Sequence, residues 1–352
     1  MPLAKPDIRS LTCAGYPVDE LCRYHSFEEV AYLQWHGELP THEQVAAQNR
    51  AERAHRALDR RVASTIAEQP FASRPVDTLR SAIRVLWASD PVADDTAPAA
   101  MQAQALRLFA ALPAIVAADQ RRRLGLGAVP PRDDLSYAAN FLYMTFGKVP
   151  EPQIVAAFEK SLILYAGQSL NPAVLAGRAP ASAKAWWYGT VIAAVDAFSG
   201  PSHGGGCESV VRMLNEIAIP DNARSWLDDA RASGQTVAGF DQPGAPYGDP
   251  RVPTMRAALG ITAALRRGEH LIEVYEALAT TVFEVDGLHP ILDFPAGPAF
   301  HLMGFDTEVF APILAVAGFP GLTASLAGVP SRSLAGQQRN SVPPPRLSSP
   351  AR

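Results

Sequence analysis

The spacing of apolar residues along the chain is typical of amphipathic helices. Over residues 45–69, apolar side chains recur every three or four positions between charged ones, which predicts one helix. The same period runs through residues 154–165 and 271–282. Runs of alternating apolar and polar residues bounded by Asn-Gly or Asp-Gly turns are missing from the sequence. The pattern therefore predicts an all-α protein.

Clusters of glycine, proline and aspartate interrupt the helical pattern over residues 90–99, 125–134 and 238–253, and these stretches are predicted loops. The third loop is long and interior, as functional loops often are. From about residue 330 the sequence turns polar and rich in proline. We expect this tail to be flexible or to lie across a partner.

Composition narrows the class of protein. The chain has 352 residues, a formal charge of −4 and 48% hydrophobic residues, which excludes a disordered or disulfide-stapled protein. This length suggests about two domains, at about 150 residues for each domain. So small a net charge gives no reason to expect nucleic-acid binding.

The cysteines and the apolar segments bear on location. Cys13, Cys22 and Cys207 form no CxxC pair, and an odd number of cysteines fits a reducing compartment. The first residues lack the apolar core of a signal peptide, and no stretch approaches 18 apolar residues without a charge, glycine or proline. We therefore expect a cytoplasmic protein with no membrane attachment.

Five blocks of sequence resemble the citrate synthase and 2-methylcitrate synthase family. They are LTCAGYPVDELCRYHSFEEVAYLQWHGELPT (11–41), RDDLSYAANFLYMTFGKVPEPQ (132–153), GPSHGGGCESVVRML (200–214), GFDQPGAPYGDPR (239–251) and HPILDF (289–294). The blocks follow the family's order and spacing. The resemblance covers roughly residues 8–325.

The resemblance implies an all-helical homodimer whose smaller domain closes over the substrates. It places the large domain at residues 1–204 and 293–329, the small domain at 205–292 and the tail at 330–352. The implied chemistry is a Claisen-type condensation of an acyl-CoA with a small carbonyl substrate. Acyl-CoA is then a substrate, and no metal or cofactor is expected.

Both groups that the family uses to enolise the thioester have counterparts here. Asp293 falls at the position of the proton-abstracting aspartate, and His203 at that of the histidine that hydrogen-bonds the thioester oxygen. Gly204 and Gly205 follow His203, and glycines there suit a close approach of the backbone to a substrate. Arg251 stands where the family holds a substrate carboxylate.

Other positions on the carbonyl-substrate side differ from the family. Gln242 replaces the histidine that activates the ketone, Gln168 replaces a histidine that contacts a carboxylate, and Gly318 replaces an arginine. Glutamine donates a hydrogen bond but transfers no proton near neutral pH. The resemblance thus leaves Gln242 as a catalytic candidate and Gln168 as a substrate-binding candidate.

Two explanations stay open. The chain is either a condensing enzyme with a less anionic electrophile than oxaloacetate, or a catalytically inactive pseudoenzyme that keeps the fold and has a binding or regulatory role. The first is preferred because the enolising pair is retained while the changes lie on the electrophile side.

Two further features each have two interpretations. Cys207, four residues after His203, is either a nucleophile or a small residue packed at a helix start, and packing is preferred. Arg121, Arg122 and Arg123 are either a clamp for the phosphates of CoA or a solvated helix end, and the helix end is preferred.

Overall fold

The structure is a computed structural model that describes residues 11–95, 97–166, 187–198, 205–240 and 248–326. Within these ranges the chain is built almost wholly from helices, as the apolar period predicts. The helices are α1 (Val18–Tyr24), α2 (Phe27–His36), α3 (His42–Arg53), α4 (Arg60–Ala67), α5 (Pro75–Ser89), α6 (Pro98–Arg123), α7 (Tyr137–Phe146), α8 (Pro152–Ala166), α9 (Trp187–Phe198), α10 (Gly205–Ile217), α11 (Ala223–Ser233), α12 (Val252–Arg266), α13 (Glu269–Asp286), α14 (Asp293–Met303) and α15 (Phe310–Leu326). Short 3-10 turns lie at Pro220–Asn222 and Thr307–Val309.

A small β-hairpin precedes α1 and was not predicted. Its strands, β1 (Thr12–Cys13) and β2 (Tyr16–Pro17), pair antiparallel. Ala14 and Gly15 form the turn with φ of +50° and +93°, the backbone conformation of tight hairpin turns. Strands of two residues are too short to show an alternating pattern.

The single helix predicted over residues 45–69 is wrong, because the chain forms α3 and α4 with a break between them. Asp59 starts the second helix, since its Oδ1 accepts the main-chain N–H of Val62 at 2.9 Å. Arg56 lies in the break and is buried, with its guanidinium on the Glu52 carboxylate and on carbonyl groups of another loop. Periodicity does not reveal the break, because a buried arginine reads as part of a polar face.

Two helices form the apolar centre of the fold. By length and composition alone, α6 and the stretch Thr307–Leu326, which includes α15, could each cross a membrane. However, most of the most apolar 18-residue segment of each is buried inside the protein: 61% of the segment in α6 and 72% of the segment in Thr307–Leu326. The two helices pack on each other, and α15 also packs on α2, α8 and α9. Their apolar composition is that of core helices.

Four helices meet where the predicted site residues lie. Helix α14 packs on α10 and α12, and α12 packs on α8. The approach of α10 and α14 is backbone to backbone, since a Cβ on Gly297 would lie 2.4 Å from the carbonyl oxygen of Cys207. The predicted division into a large and a small domain stays a prediction, and the tail from residue 330 lies outside the described residues.

Candidate active site

Asp293 is the first residue of α14, and its side chain is partly buried between three helices. A carboxylate in the first turn of a helix is favoured by the unpaired N–H groups and the dipole there. The hydroxyl of Tyr165, at the end of α8, donates a hydrogen bond to Asp293 Oδ1 at 2.6 Å. The carboxylate is therefore held by a neutral donor.

Helix α10 brings its first turn against the same carboxylate. A Cβ on Gly206 would lie only 2.2 Å from Asp293 Oδ2, so the missing side chain admits the carboxylate. The next residue, Cys207, is fully buried, and its Sγ lies 3.3 Å from the Tyr165 hydroxyl oxygen. The start of α10 thus forms one wall of the site.

An ion pair lies on the other side of the site. The guanidinium of Arg251 contacts both carboxylate oxygens of Asp249, with distances of 2.6 Å from Nη2 to Oδ2 and 2.9 Å from Nε to Oδ1. Asp249 also accepts the main-chain N–H of Leu292 at 3.2 Å, just before α14 begins. The ion pair therefore ties the loop before α12 to the helix that carries Asp293.

Burial is the largest influence on Asp293 and raises the pKa of its carboxyl, although the Tyr165 hydrogen bond and the positive charge of Arg251 act in the opposite direction. Burial also opposes ionisation of Asp249, but its hydrogen bonds with Arg251 prevail and lower its pKa. A carboxylate with a raised pKa is a stronger base than a solvated one. The burial of Asp293 therefore increases the basicity of its carboxylate.

The segment before Asp293 is fastened to the loop at Gly239. Ile291 N donates to the carbonyl oxygen of Gly239 at 2.9 Å, and Phe240 forms an isolated bridge with Pro290. Gly239 has a φ of +83°, and a Cβ there would lie 2.7 Å from a methyl group of Val210. Only glycine meets both conditions without strain.

One family model matches nearly the whole chain. Its description is "Citrate synthase, C-terminal domain", and the match covers residues 4–329. The chain belongs to the citrate synthase family. The resemblance seen in the five sequence blocks is thereby confirmed.

Curated members of the family are similar over most of their length. A 2-methylcitrate synthase of Mycobacterium tuberculosis is 44% identical over 321 residues, which cover 91% of this chain and 81% of that protein. A citrate synthase of Mycolicibacterium smegmatis is 43% identical, with coverage of 91% and 85%.

Solved citrate synthase structures share the fold. The enzyme from Pyrobaculum aerophilum superimposes with a TM-score of 0.83 at 29% identity, covering 96% of this chain and 87% of that one. The enzyme from Thermoplasma acidophilum, solved with carboxymethyl coenzyme A and oxaloacetate, gives a TM-score of 0.84 at 22% identity, with coverage of 97% and 95%. The predicted all-α citrate synthase fold is confirmed.

The structure describes three of the seven residues that the family resemblance selects. Arg251 forms the ion pair with Asp249, Asp293 is the first residue of α14, and Gly205 is the first residue of α10. The other four lie outside the described residues; they are His203, Gly204, Gln168 and Gln242. The roles of all seven stay predictions.

Three residues around Asp293 were not selected from the sequence. Tyr165 ends the apolar period over residues 154–165, and that period does not show that its hydroxyl has a polar partner. Gly206 is the last of three consecutive glycines after His203, and the sequence alone does not distinguish it from the other two. Asp249 stands two residues before Arg251, a spacing that allows a chelating ion pair and could have drawn attention to it.

The structure also distinguishes between the two interpretations given for Cys207 and for the three arginines at residues 121–123. Cys207 is fully buried, and burial raises the pKa of its thiol well above the ordinary value, which favours the packing interpretation over a nucleophile. The three arginines at the end of α6 have protein partners: Arg121 bonds the Thr145 carbonyl, Arg122 pairs with Asp119, and Arg123 pairs with Glu308. These contacts do not favour a phosphate clamp. They also differ from the preferred solvated helix end, because the Arg122 and Arg123 side chains are only 14% and 15% exposed.

Within the ranges that the structure covers, no group of three or more histidine, cysteine, aspartate or glutamate side chains could hold a metal ion. His25 contacts Glu29 at 3.5 Å, and His36 stacks on Tyr32 with 4.0 Å between ring centres. Both histidines have structural neighbours within the same helical region.

Proposed function

We propose that this member of the citrate synthase family is an acyl-CoA condensing acyltransferase in which Asp293 is the general base. The observation that carries the proposal is the setting of Asp293: a partly buried carboxylate at a helix start, bonded by Tyr165 and close to the Arg251 charge. The match to the family over residues 4–329 supports carbon–carbon bond formation as the reaction class.

In the proposed first step, Asp293 removes a proton from the carbon next to the thioester carbonyl. The electron pair of the broken C–H bond moves onto the thioester oxygen and forms an enolate. His203 would donate a hydrogen bond to that oxygen, and Gly204 and Gly205 would let the backbone approach the acyl group. Removal of a proton by a placed base typically contributes about 10² to 10⁴ in rate.

In the proposed second step, the enolate carbon attacks the carbonyl carbon of the second substrate. The electron pair of the broken carbonyl π bond moves onto the carbonyl oxygen, which then takes a proton from water. Gln242 would donate a hydrogen bond to that carbonyl oxygen, and Gln168 and Arg251 would bind the rest of the molecule. Gly318, which the family resemblance aligns with an arginine, is buried within α15 and brings no charge. Each missing charge-assisted contact costs about 1.5 to 3 kcal/mol of binding.

We infer that the electrophile is less anionic than oxaloacetate. Arg251 is already paired with Asp249, so its positive charge is partly neutralised before a substrate arrives. The named activities of the relatives make acetyl-CoA and propionyl-CoA the first acyl donors to test. We further propose a cytoplasmic homodimer that needs no metal or redox cofactor.

The test is release of free thiol from acetyl-CoA, propionyl-CoA and longer acyl-CoA esters. Each ester is supplied with oxaloacetate, with monoanionic 2-oxo acids or with neutral ketones, and products are identified by mass spectrometry in case the CoA ester survives. We expect turnover with a monoanionic or neutral carbonyl substrate, and its loss in Asp293→Asn. Asp228→Asn, on an exposed face of α11, is the matched control.

Three outcomes would contradict parts of the proposal. Full activity of Asp293→Asn would remove this residue as the base. Efficient use of oxaloacetate by the wild type would overturn the proposed electrophile class. No product with any pair of substrates would favour the pseudoenzyme, and the double variant Gln168→His and Gln242→His would then test whether oxaloacetate use can be restored.

A further inference from the structure

Three side chains from three helices form a continuous hydrogen-bonded chain in the site. The Cys207 Sγ lies 3.3 Å from the Tyr165 hydroxyl oxygen, which lies 2.6 Å from Asp293 Oδ1. Neither Cys207 nor Tyr165 is needed for the bond changes of the proposed reaction.

The number of protons available fixes the direction of donation along these hydrogen bonds. A phenol has a single proton, and the 2.6 Å contact with a carboxylate uses it. The Tyr165 oxygen can then only accept, so the thiol of Cys207 is the donor between these two residues. The order of donation is therefore thiol to phenol to carboxylate.

Both donors keep their protons over the working range of pH. Burial raises the pKa of Tyr165 and of Cys207 well above their ordinary values, and the nearby negative charge of Asp293 acts in the same direction. A donor that is itself hydrogen-bonded is polarised and becomes a stronger donor in a buried site. The Cys207 thiol thus strengthens the bond from Tyr165 to Asp293.

The backbone fixes the distances within the chain. Gly206 lets α10 approach Asp293, where a Cβ would lie 2.2 Å from Oδ2. Gly297 lets α14 lie against the main chain of Cys207, where a Cβ would lie 2.4 Å from the carbonyl oxygen. The thiol, the phenol and the carboxylate are therefore held by closely packed helices and not by a loop.

We propose that Tyr165 and Cys207 are positioning residues that orient the Asp293 carboxylate toward the acyl group through a thiol–phenol–carboxylate hydrogen-bond chain. The proposal rests on the proposed role of Asp293 as the base. Donors to a carboxylate favour its ionised form, so each donor also widens the pH range in which the base is active.

The test compares Tyr165→Phe, Cys207→Ala and Cys207→Ser by the pH dependence of kcat/KM. Loss of the phenol should move the acidic limb about one pH unit upward, as expected when one hydrogen bond to an ionised carboxyl is removed, and should lower kcat about tenfold with little change in KM. Cys207→Ala should shift the limb in the same direction by about half as much, since a thiol is a weak donor. Cys207→Ser restores a donor and should keep the wild-type limb.

Two buried residues outside the chain provide matched controls. Tyr188→Phe removes a buried hydroxyl that donates to Asp90 at 2.8 Å, and Cys22→Ala removes a buried thiol that contacts the Lys160 carbonyl. Both should leave the acidic limb unchanged. A shift in these controls as large as in Tyr165→Phe would show a general packing effect and overturn the proposal.

A second measurement works without turnover. Infrared difference titration of wild type against Asp293→Asn follows protonation of this carboxyl, and its midpoint should rise in Tyr165→Phe and Cys207→Ala. Unchanged midpoints and limbs in both variants would overturn the positioning role. If Asp293→Asn stays active, the proposed function is contradicted. If Asp293→Asn is inactive while Tyr165→Phe and Cys207→Ala behave as the wild type, only the positioning role of Tyr165 and Cys207 is contradicted.

Discussion

Asp249 serves two neighbours at once, and its side chain is only 9% exposed. It neutralises Arg251, whose side chain is 16% exposed, and it accepts the N–H of Leu292 next to the base. Loss of one partner of a largely buried ion pair leaves an uncompensated charge, which is more costly than loss of an exposed pair. Asp249 therefore matters for stability as well as for the geometry of the site.

We expect Asp249→Ala to lower the free energy of unfolding by about 3 kcal/mol because Arg251 is left buried without its partner. Urea denaturation followed by circular dichroism measures the change. Asp228→Ala is the matched control, since the Asp228 and Arg224 side chains are 51% and 63% exposed, and a change within about 0.5 kcal/mol is expected. Equal effects of the two substitutions would contradict the structural role of Asp249.

Glu159 is a second carboxyl in an unfavourable setting, away from Asp293. Burial, followed by the negative charge of Glu28, raises its pKa to about 7, although the N–H of Phe27 donates to it at 3.4 Å. The folded state therefore binds a proton that the unfolded state has lost between pH 4.5 and 7. The stability contributed by this proton is full below pH 4.5 and is lost as pH rises through 7.

We expect the free energy of unfolding of the wild type to fall by about 2 to 3 kcal/mol between pH 5 and 8, and Glu159→Gln to remove most of that fall. Glu151→Gln is the control, because hydrogen bonding from Arg266 lowers the pKa of Glu151 to about 2 and its ionisation does not change in this range. Urea denaturation at four pH values measures both slopes. If the free energy of unfolding of Glu159→Gln still falls with pH as in the wild type, other titrating groups cause the fall.

Among individual residues, the sequence could identify Asp293 but not Tyr165, which hydrogen-bonds its carboxylate. Asp293 lies in HPILDF, a motif whose resemblance carries a role, whereas Tyr165 lies in an apolar run where any aromatic residue would fit the period. The partner of Tyr165 is 128 positions away along the chain. Only the packing of α8 on the other site helices shows that the phenol reaches a carboxylate.

Among the elements, helices with a clean period and clear ends are predicted well. The periods over residues 154–165 and 271–282 lie within α8 and α13. The period over 45–69 fails because α3 and α4 share one pattern of apolar spacing, while the break depends on the Asp59 cap and the buried Arg56. Such a break follows from tertiary contacts that periodicity does not record.

The close contact between the backbones of α10 and α14 depends on the missing side chain of Gly297. A Cβ at Gly297 would lie 2.4 Å from a main-chain oxygen of α10, and a backbone cannot move aside as the end of a side chain can. We expect Gly297→Ala to destabilise the protein by about 1 to 3 kcal/mol through overpacking, and to lower activity because Cys207 and Asp293 are displaced. Thermal denaturation and thiol release measure the two effects.

Gly260→Ala is the control for that substitution. Gly260 also lies in a helix, α12, but a Cβ there would meet only the end of the Arg256 side chain, at 3.2 Å, and a side-chain end can shift where a backbone cannot. Alanine is the better helix former by about 1 kcal/mol, so this variant should be as stable as the wild type or more so. Similar destabilisation by both substitutions would show that the close crossing is not the cause.

For the whole molecule, membership of the citrate synthase family establishes the fold, but the division of the chain into two domains remains a prediction. In the predicted division, Asp293 and Tyr165 belong to the large domain, whereas Gly206, Cys207 and Arg251 belong to the small one. The site then lies between the two parts, so a change in their relative position alters the distances around the base. Closure would bring the acyl group and the carbonyl substrate together away from water.

We expect the radius of gyration of the Asp293→Asn variant to decrease when an acyl-CoA and a carbonyl substrate are both bound, because this variant should bind without turnover. Small-angle X-ray scattering measures the change, and calorimetry shows that both ligands are bound. The loop substitution Asp249→Ala, which cuts the tie to Leu292, should weaken the response. An unchanged radius of gyration with both ligands bound would contradict closure. Because Asp293 lies at the predicted boundary between the two domains, condensation would then have to occur without a change in their relative position.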